Sequence, residues 1–179
     1  MSIGLKLLSS LAVAAMMATG AYAADLDVPD TPQPMLPSAP NITPFITISI
    51  GPGIDTVAPF AAGVITVGVN APVSDPVILG GEAQLGVDFS TGGVYGIDAL
   101  LLGRLGTKVS DQVSIFGKAG VGFFDFTGGG GGHAEYAFGG ELDVAVTDNM
   151  SVTGEVLALG PFGAAPNAVR GQVGLMFHM

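Results

Sequence analysis

The sequence predicts an all-β fold: an eight-stranded antiparallel up-and-down transmembrane β-barrel. From Pro44 onward, segments of strict period-two alternation recur between short clusters of Gly, Asp, Asn, Ser and Pro, the pattern of strands joined by turns. Only 11% of the residues are charged, against roughly a quarter in an ordinary globular domain, so much of the surface must meet something other than water. No window of the mature chain reaches the ~18 consecutive apolar residues that a spanning helix needs. In lipid every backbone N–H and C=O has to be paired within the protein, which leaves a closed barrel.

The first 23 residues read as a secretory signal peptide. Lys6 precedes an apolar run from Leu11 to Ala18, and Ala21-Tyr22-Ala23 is an A-x-A cleavage site just before the first acidic residue. The competing reading, a membrane anchor, fails on the shortness of the apolar run. Residues 24–44 form a proline-rich leader carrying Pro29, Pro32, Pro34, Pro37, Pro40 and Pro44. That density forbids helix, breaks any strand ladder and predicts an extended, polyproline-like linker. The barrel is assigned to residues 45–179.

Its eight segments are expected near Phe45–Ile50, Pro59–Val69, Gly81–Phe89, Val94–Val109, Gln112–Phe126, His133–Val146, Met150–Leu159 and Ala168–Phe177. Most approach or exceed the ~9–11 residues of a tilted transmembrane strand, where soluble strands average about 5–6. Parity sorts their residues. In the fifth segment Val113, Ile115, Gly117, Ala119, Val121 and Phe123 share one face, and Ser114, Lys118, Gly120 and Gly122 the other. The sixth sets Ala134, Tyr136, Phe138, Leu142, Val144 and Val146 against His133, Glu135, Glu141 and Asp143. The fourth sets Tyr95, Ile97, Ala99, Leu101, Leu105 and Val109 against Asp98, Arg104 and Lys108, and the eighth sets Val169, Val173, Leu175 and Phe177 against Arg170 and Gln172.

Alternation alone does not say which face is inside. A soluble barrel turns its apolar face inward, and a membrane barrel turns it to lipid and hides its charges in the lumen. The signal peptide, the long strands and a Gly-rich polar face with few charges favour the membrane. Ser110-Asp111 and Thr147-Asp148-Asn149 are compact turns of the kind expected at a periplasmic end. The Val69–Gly80 connection reads as looser, and Gly51–Ala58, Ser90–Gly93, Thr127–Gly132 and Gly160–Asn167 read as four short extracellular loops.

Function classes fall away from the composition. The chain has no Cys, which removes disulfides, thiolate metal sites and cysteine nucleophiles. A formal net charge of −10, with Lys6, Arg104, Lys108, Lys118 and Arg170 the only basic residues, argues against nucleic acid. Gly128 to Gly132 lacks the strand-to-helix context and the Lys-Ser/Thr of a phosphate loop. His133 and His178 are expected at opposite strand ends, so no shared metal site is assigned. Ser, His and acid are not grouped by expected depth, so no catalytic residue and no cofactor are assigned.

Segments 103–111 (GRLGTKVSD), 115–122 (IFGKAGVG), 138–142 (FGGEL) and 147–152 (TDNMSV) resemble the strand and turn patterns of the small OmpA-like or opacity-protein-like outer-membrane barrels, and the leader from Ala24 to Pro40 is similar to those of alphaproteobacterial members. The resemblance covers roughly Gly81 to the end. It implies a cell outer-membrane location and, as partners, outer-membrane lipid and lipopolysaccharide, with the barrel-assembly machinery during biogenesis. Members usually end on an aromatic residue read by that machinery, whereas this chain continues past Phe177 to His178 and Met179.

Counted from the periplasmic turns, Arg104, Lys118, Glu141, Glu155 and Arg170 fall at similar depth, so antiparallel threading is expected to gather two acids and three bases in one lumen layer. Buried charges are tolerated only when paired and hydrogen-bonded. The layer reads as a structural plug; the resemblance would also allow an ionic gate of a narrow pore. Eight strands leave an interior just wide enough for side chains, which disfavours a wide diffusion porin. A structural or surface barrel therefore leads. A lipid-modifying barrel enzyme, for which only His133 with Glu135 offers a fragment of a site, and a soluble periplasmic ligand-binding barrel stay open.

Overall fold

The computed structural model describes residues 42–127 and 131–179; the expected signal peptide and the leader up to residue 41 lie outside the described residues, as does most of the Gly128–Gly132 run. Eight strands follow in chain order: β1 (Thr43–Asp55), β2 (Pro59–Ser74), β3 (Val77–Ser90), β4 (Gly93–Lys108), β5 (Val113–Phe126), β6 (Gly132–Thr147), β7 (Met150–Pro161) and β8 (Ala168–His178). Each pairs antiparallel with its sequence neighbours, and β1 also pairs with β8, closing the barrel from Phe45 opposite His178 to Asp55 opposite Ala168.

Several strands outrun the expected boundaries. β1 continues from Ile50 to Asp55 through Pro52. The ladder to β8 skips Gly51 and Pro52 and resumes at Gly53 opposite Arg170, so the missing proline N–H falls in a gap of that ladder. β2 runs on to Ser74 and β3 starts at Val77, so the connection expected to be loose is a tight turn at Asp75-Pro76, and Pro72 sits beside a β-bulge. The loops at the opposite end shrink to residues 56–58, 91–92, 127–131 and 162–167. Gly93 opens β4 at φ 114°, a conformation that suits glycine after so short a turn.

The apolar parity points away from the barrel axis. Val121, Phe123, Phe138, Leu142, Val144 and Leu175 are exposed, and Leu101 and Val173 reach 60% and 62%. The outward rings of Phe89, Phe123, Tyr136 and Phe162 lie toward the loop end, with Phe177 near the opposite end, where β1 begins and β8 finishes. Apolar side chains bared to this extent on every strand would be a severe liability in water.

Inside, Leu100, Leu102, Ala137, Leu157 and Leu159 pack together, and polar side chains fill the rest of the lumen. Glycines admit the close approach of neighbouring strands: a Cβ on Gly139 would meet the Val156 carbonyl oxygen at 1.9 Å, and one on Gly120 the Leu101 oxygen at the same distance. Gly139→Ala is therefore expected to destabilise the barrel by about 1–3 kcal/mol through overpacking. Gly154→Ala, with nothing within 4 Å of the added methyl, serves as the tolerated control. Urea titrations in lipid vesicles compare the two.

One residue departs from its parity. Tyr95 shares odd numbering with outward Ile97, but the register slips between Asp88 and Phe89, opposite Gly96 and Val94, and leaves Tyr95 as the extra residue of a β-bulge. Its ring turns into the lumen, stacks at 6.4 Å on Phe60, and its hydroxyl donates to Asp55 Oδ2 at 2.7 Å.

Candidate functional site

The charged lumen layer is built from the inward parity of six strands. β4 supplies Arg104 and Asp98, β5 Lys118, β6 Glu141 and Asp143, β7 Glu155, β8 Arg170 and Gln172, and β3 Glu82 and Gln84. All are buried, Arg104 and Arg170 to 1% exposure. Arg104 reaches Glu82 at 3.2 Å, Glu141 at 2.7 Å and Asp143 at 3.0 Å. Lys118 Nζ contacts Glu82 at 2.6 Å and also touches Glu141 and Glu155. The Arg104 guanidinium lies 3.8 Å from the Phe116 ring centroid and 4.9 Å from that of Phe45, so aromatic faces take the sides that carboxylates leave free.

Arg170 stands apart from this knot. It donates to Asp98 Oδ2 at 2.9 Å and to Gln84 Oε1 at 3.1 Å. Along β8 it lies two residues nearer the loop end than Gln172, which pairs with Glu155. Gln84 makes the link, donating its amide to Glu82 at 2.9 Å and Glu155 at 3.0 Å. The five expected residues thus form one connected network on two tiers rather than one level.

The balance of charge also differs from the expectation of two acids and three bases. Among the described residues, three cations meet five carboxylates, because Glu82, Asp98 and Asp143 join the network. Glu82 carries contacts to both Arg104 and Lys118. The even-numbered alternation Glu82, Gln84, Gly86, Asp88 against Leu85, Val87 and Phe89 was the available signal for it. Gln172, which the sequence places only on the polar face of the eighth segment, is buried between Glu155 and Ser49 and hydrogen-bonds both.

The carboxylates of Glu82, Glu141 and Glu155 lie within 4.8 Å of one another, close enough to hold a metal ion. The Lys118 ammonium touches all three and takes the position such an ion would need.

No family model matches the chain, and no curated protein matches it. Among solved structures it is similar to Neisserial surface protein A, at 8% identity over 77% of this chain and 96% of that one, with a TM-score of 0.55. It is similar to the attachment invasion locus protein Ail of Yersinia pestis, at 10% identity over 77% and 98%, with a TM-score of 0.54. A third likeness is the outer membrane enzyme PagL, at 15% identity over 75% and 98%, with a TM-score of 0.50. The chain has the fold of the small outer-membrane barrels.

Because that fold also carries an enzyme, the nucleophile and base candidates matter. His133, the second residue of β6, lies at the loop end and packs on Phe124 and Phe126, at 5.8 and 6.2 Å between centroids. His178 lies at the opposite end. There its Nε2 sits 3.0 Å from Ser151 Oγ, a pairing that depth-counting along the sequence missed. Ser151 is 3% exposed, which denies a substrate carbonyl access to it. Among the described residues no carboxylate hydrogen-bonds the other nitrogen of that imidazole, so the pair lacks the orienting member of a triad.

Proposed function

We propose that this protein is an outer-membrane barrel with a structural or surface role, its lumen closed by the charged network. The observation that carries the reading is the inversion of the two faces: apolar side chains bared on the outside of every strand, and ion-paired charges sealed within. A soluble ligand-carrying barrel would place these sets the other way round. Membrane fractionation tests the location. Recovery in the detergent-resistant outer-membrane fraction supports it, and release by salt or from periplasm sinks it.

A narrow, gated pore is the second reading, and one feature favours it. Glu82 and Glu141 each contact both Arg104 and Lys118, so partners can exchange without stranding a charge. In planar bilayers the native chain is expected to conduct very little. Neutralising Lys118 together with Glu141 raises conductance if the network gates a pore and leaves it unchanged if the network is only a plug.

A further inference from the structure

Between the charged network and the loop end, the lumen holds a cavity of about 60 Å³. That is room for about four waters or a ligand of a few heavy atoms. One wall is aromatic. Tyr95 packs edge-on to Phe126 at 5.4 Å and Phe124 to Phe126 at 4.7 Å, with His133 alongside. The other wall is acidic, formed by Asp88, Asp98 and Glu135, with Arg170 beneath. Asp98 is matched by Arg170. Asp88 and Glu135 are not: each is only 4% exposed, lines the cavity, and among the described residues has a carboxylate oxygen without any hydrogen-bond partner.

Buried carboxylates without partners are rare and costly, and they either hold a proton or draw in a cation that restores their charge. The plug offers only Arg170, which shares the cavity with these two acids but gives its hydrogen bonds to Asp98 and Gln84. A small metal ion fits poorly. Among the described residues the three carboxylates that converge closely enough to chelate are Glu82, Glu141 and Glu155; Asp88, Asp98 and Glu135 do not converge as a set of three. Aromatic faces, in turn, attract a weakly hydrated cation that has shed its water, and quaternary ammonium groups are the usual beneficiaries.

We propose that this cup is a binding site for a small organic ammonium ion, with Asp88 and Glu135 facing its charge and Tyr95, Phe124 and Phe126 covering its alkyl groups. The ligand arrives from the aqueous end of the lumen, because every side chain of the cup faces inward rather than to the outer belt. The site goes beyond the plug reading, and its readout depends on neither conductance nor membrane location.

The test uses the full chain refolded in detergent micelles and titrated with tetramethylammonium chloride, with sodium chloride and calcium chloride at matched ionic strength as comparisons. Binding is followed by calorimetry and by the ring resonances of Tyr95 and Phe126. The expected result is saturable binding of tetramethylammonium alone, weakened at least tenfold in the double variant Asp88→Asn with Glu135→Gln and several-fold in Phe126→Leu. Should the double variant not fold, Phe126→Leu and the comparison of ions on the native chain decide. No saturation with tetramethylammonium, an equal response to sodium, tighter binding of calcium, or native affinity in a folded variant would each overturn the proposal.

Discussion

Replacing Lys118 by Met is expected to destabilise the barrel by about 3–5 kcal/mol, the usual cost of stranding buried charge. The side chain touches Glu82, Glu141 and Glu155 at once, and Arg104, the other cation of the knot among the described residues, is already shared among Glu82, Glu141 and Asp143. Removing an acid should do far less. Glu155→Gln lowers a surplus of negative charge and keeps an acceptor for Lys118, so about 1 kcal/mol, one hydrogen bond's worth, is expected. Combining Lys118→Met with Glu155→Gln should recover part of the loss. Urea titrations in lipid vesicles measure all three, and equal costs for the cation and the acid would show that the carboxylate surplus has no energetic meaning.

An arginine at Val121 is expected to cost roughly 2–4 kcal/mol, the midplane penalty for a basic side chain on the lipid face of a barrel. Val121 pairs with Leu101 near the centre of β4 and with Tyr136 on β6. Val144 looks equivalent by parity but is not equivalent by depth. It lies three residues from the end of β6, beside the turn at Asp148-Asn149, where the penalty falls to about 0–1 kcal/mol. A vesicle unfolding series that ranked Val144→Arg at or above Val121→Arg would remove the lipid from the outer face.

The contrast between these two valines shows what the chain makes legible and what it does not. Period-two alternation is a local property, so the side on which Lys118, Glu141 or Val121 lies can be read from a few neighbours. Which acid meets which cation depends on the stagger between strands. That stagger is set by bulges at Pro72/Ser74, Asp88/Phe89 and Ala145/Thr147, each a local slip with no strong sequence mark. Alternation thus reads Arg170 as a lumen residue without giving its tier, and reads Tyr95 on the outer face, from which the bulge removes it. Prolines misled in the other direction: Pro52 and Pro72 suggested loop, yet each sits where the ladder is interrupted or bulged and can spare an N–H. The meeting of Ser151 with His178 follows from the same cross-strand register and could not be read from either segment alone.

The seam between β1 and β8 reaches beyond shape into time. Phe45 has no partner on one side until His178, at the far end of β8, is in place. Closing so long a loop is slow, because its entropy is spent before any contact across it forms. Until then the sheet has two bare edges, each a template for another chain. Assembly of this barrel is therefore expected to be all or nothing, and a chain cut short within β8 is expected to leave an aggregating ribbon rather than a smaller barrel.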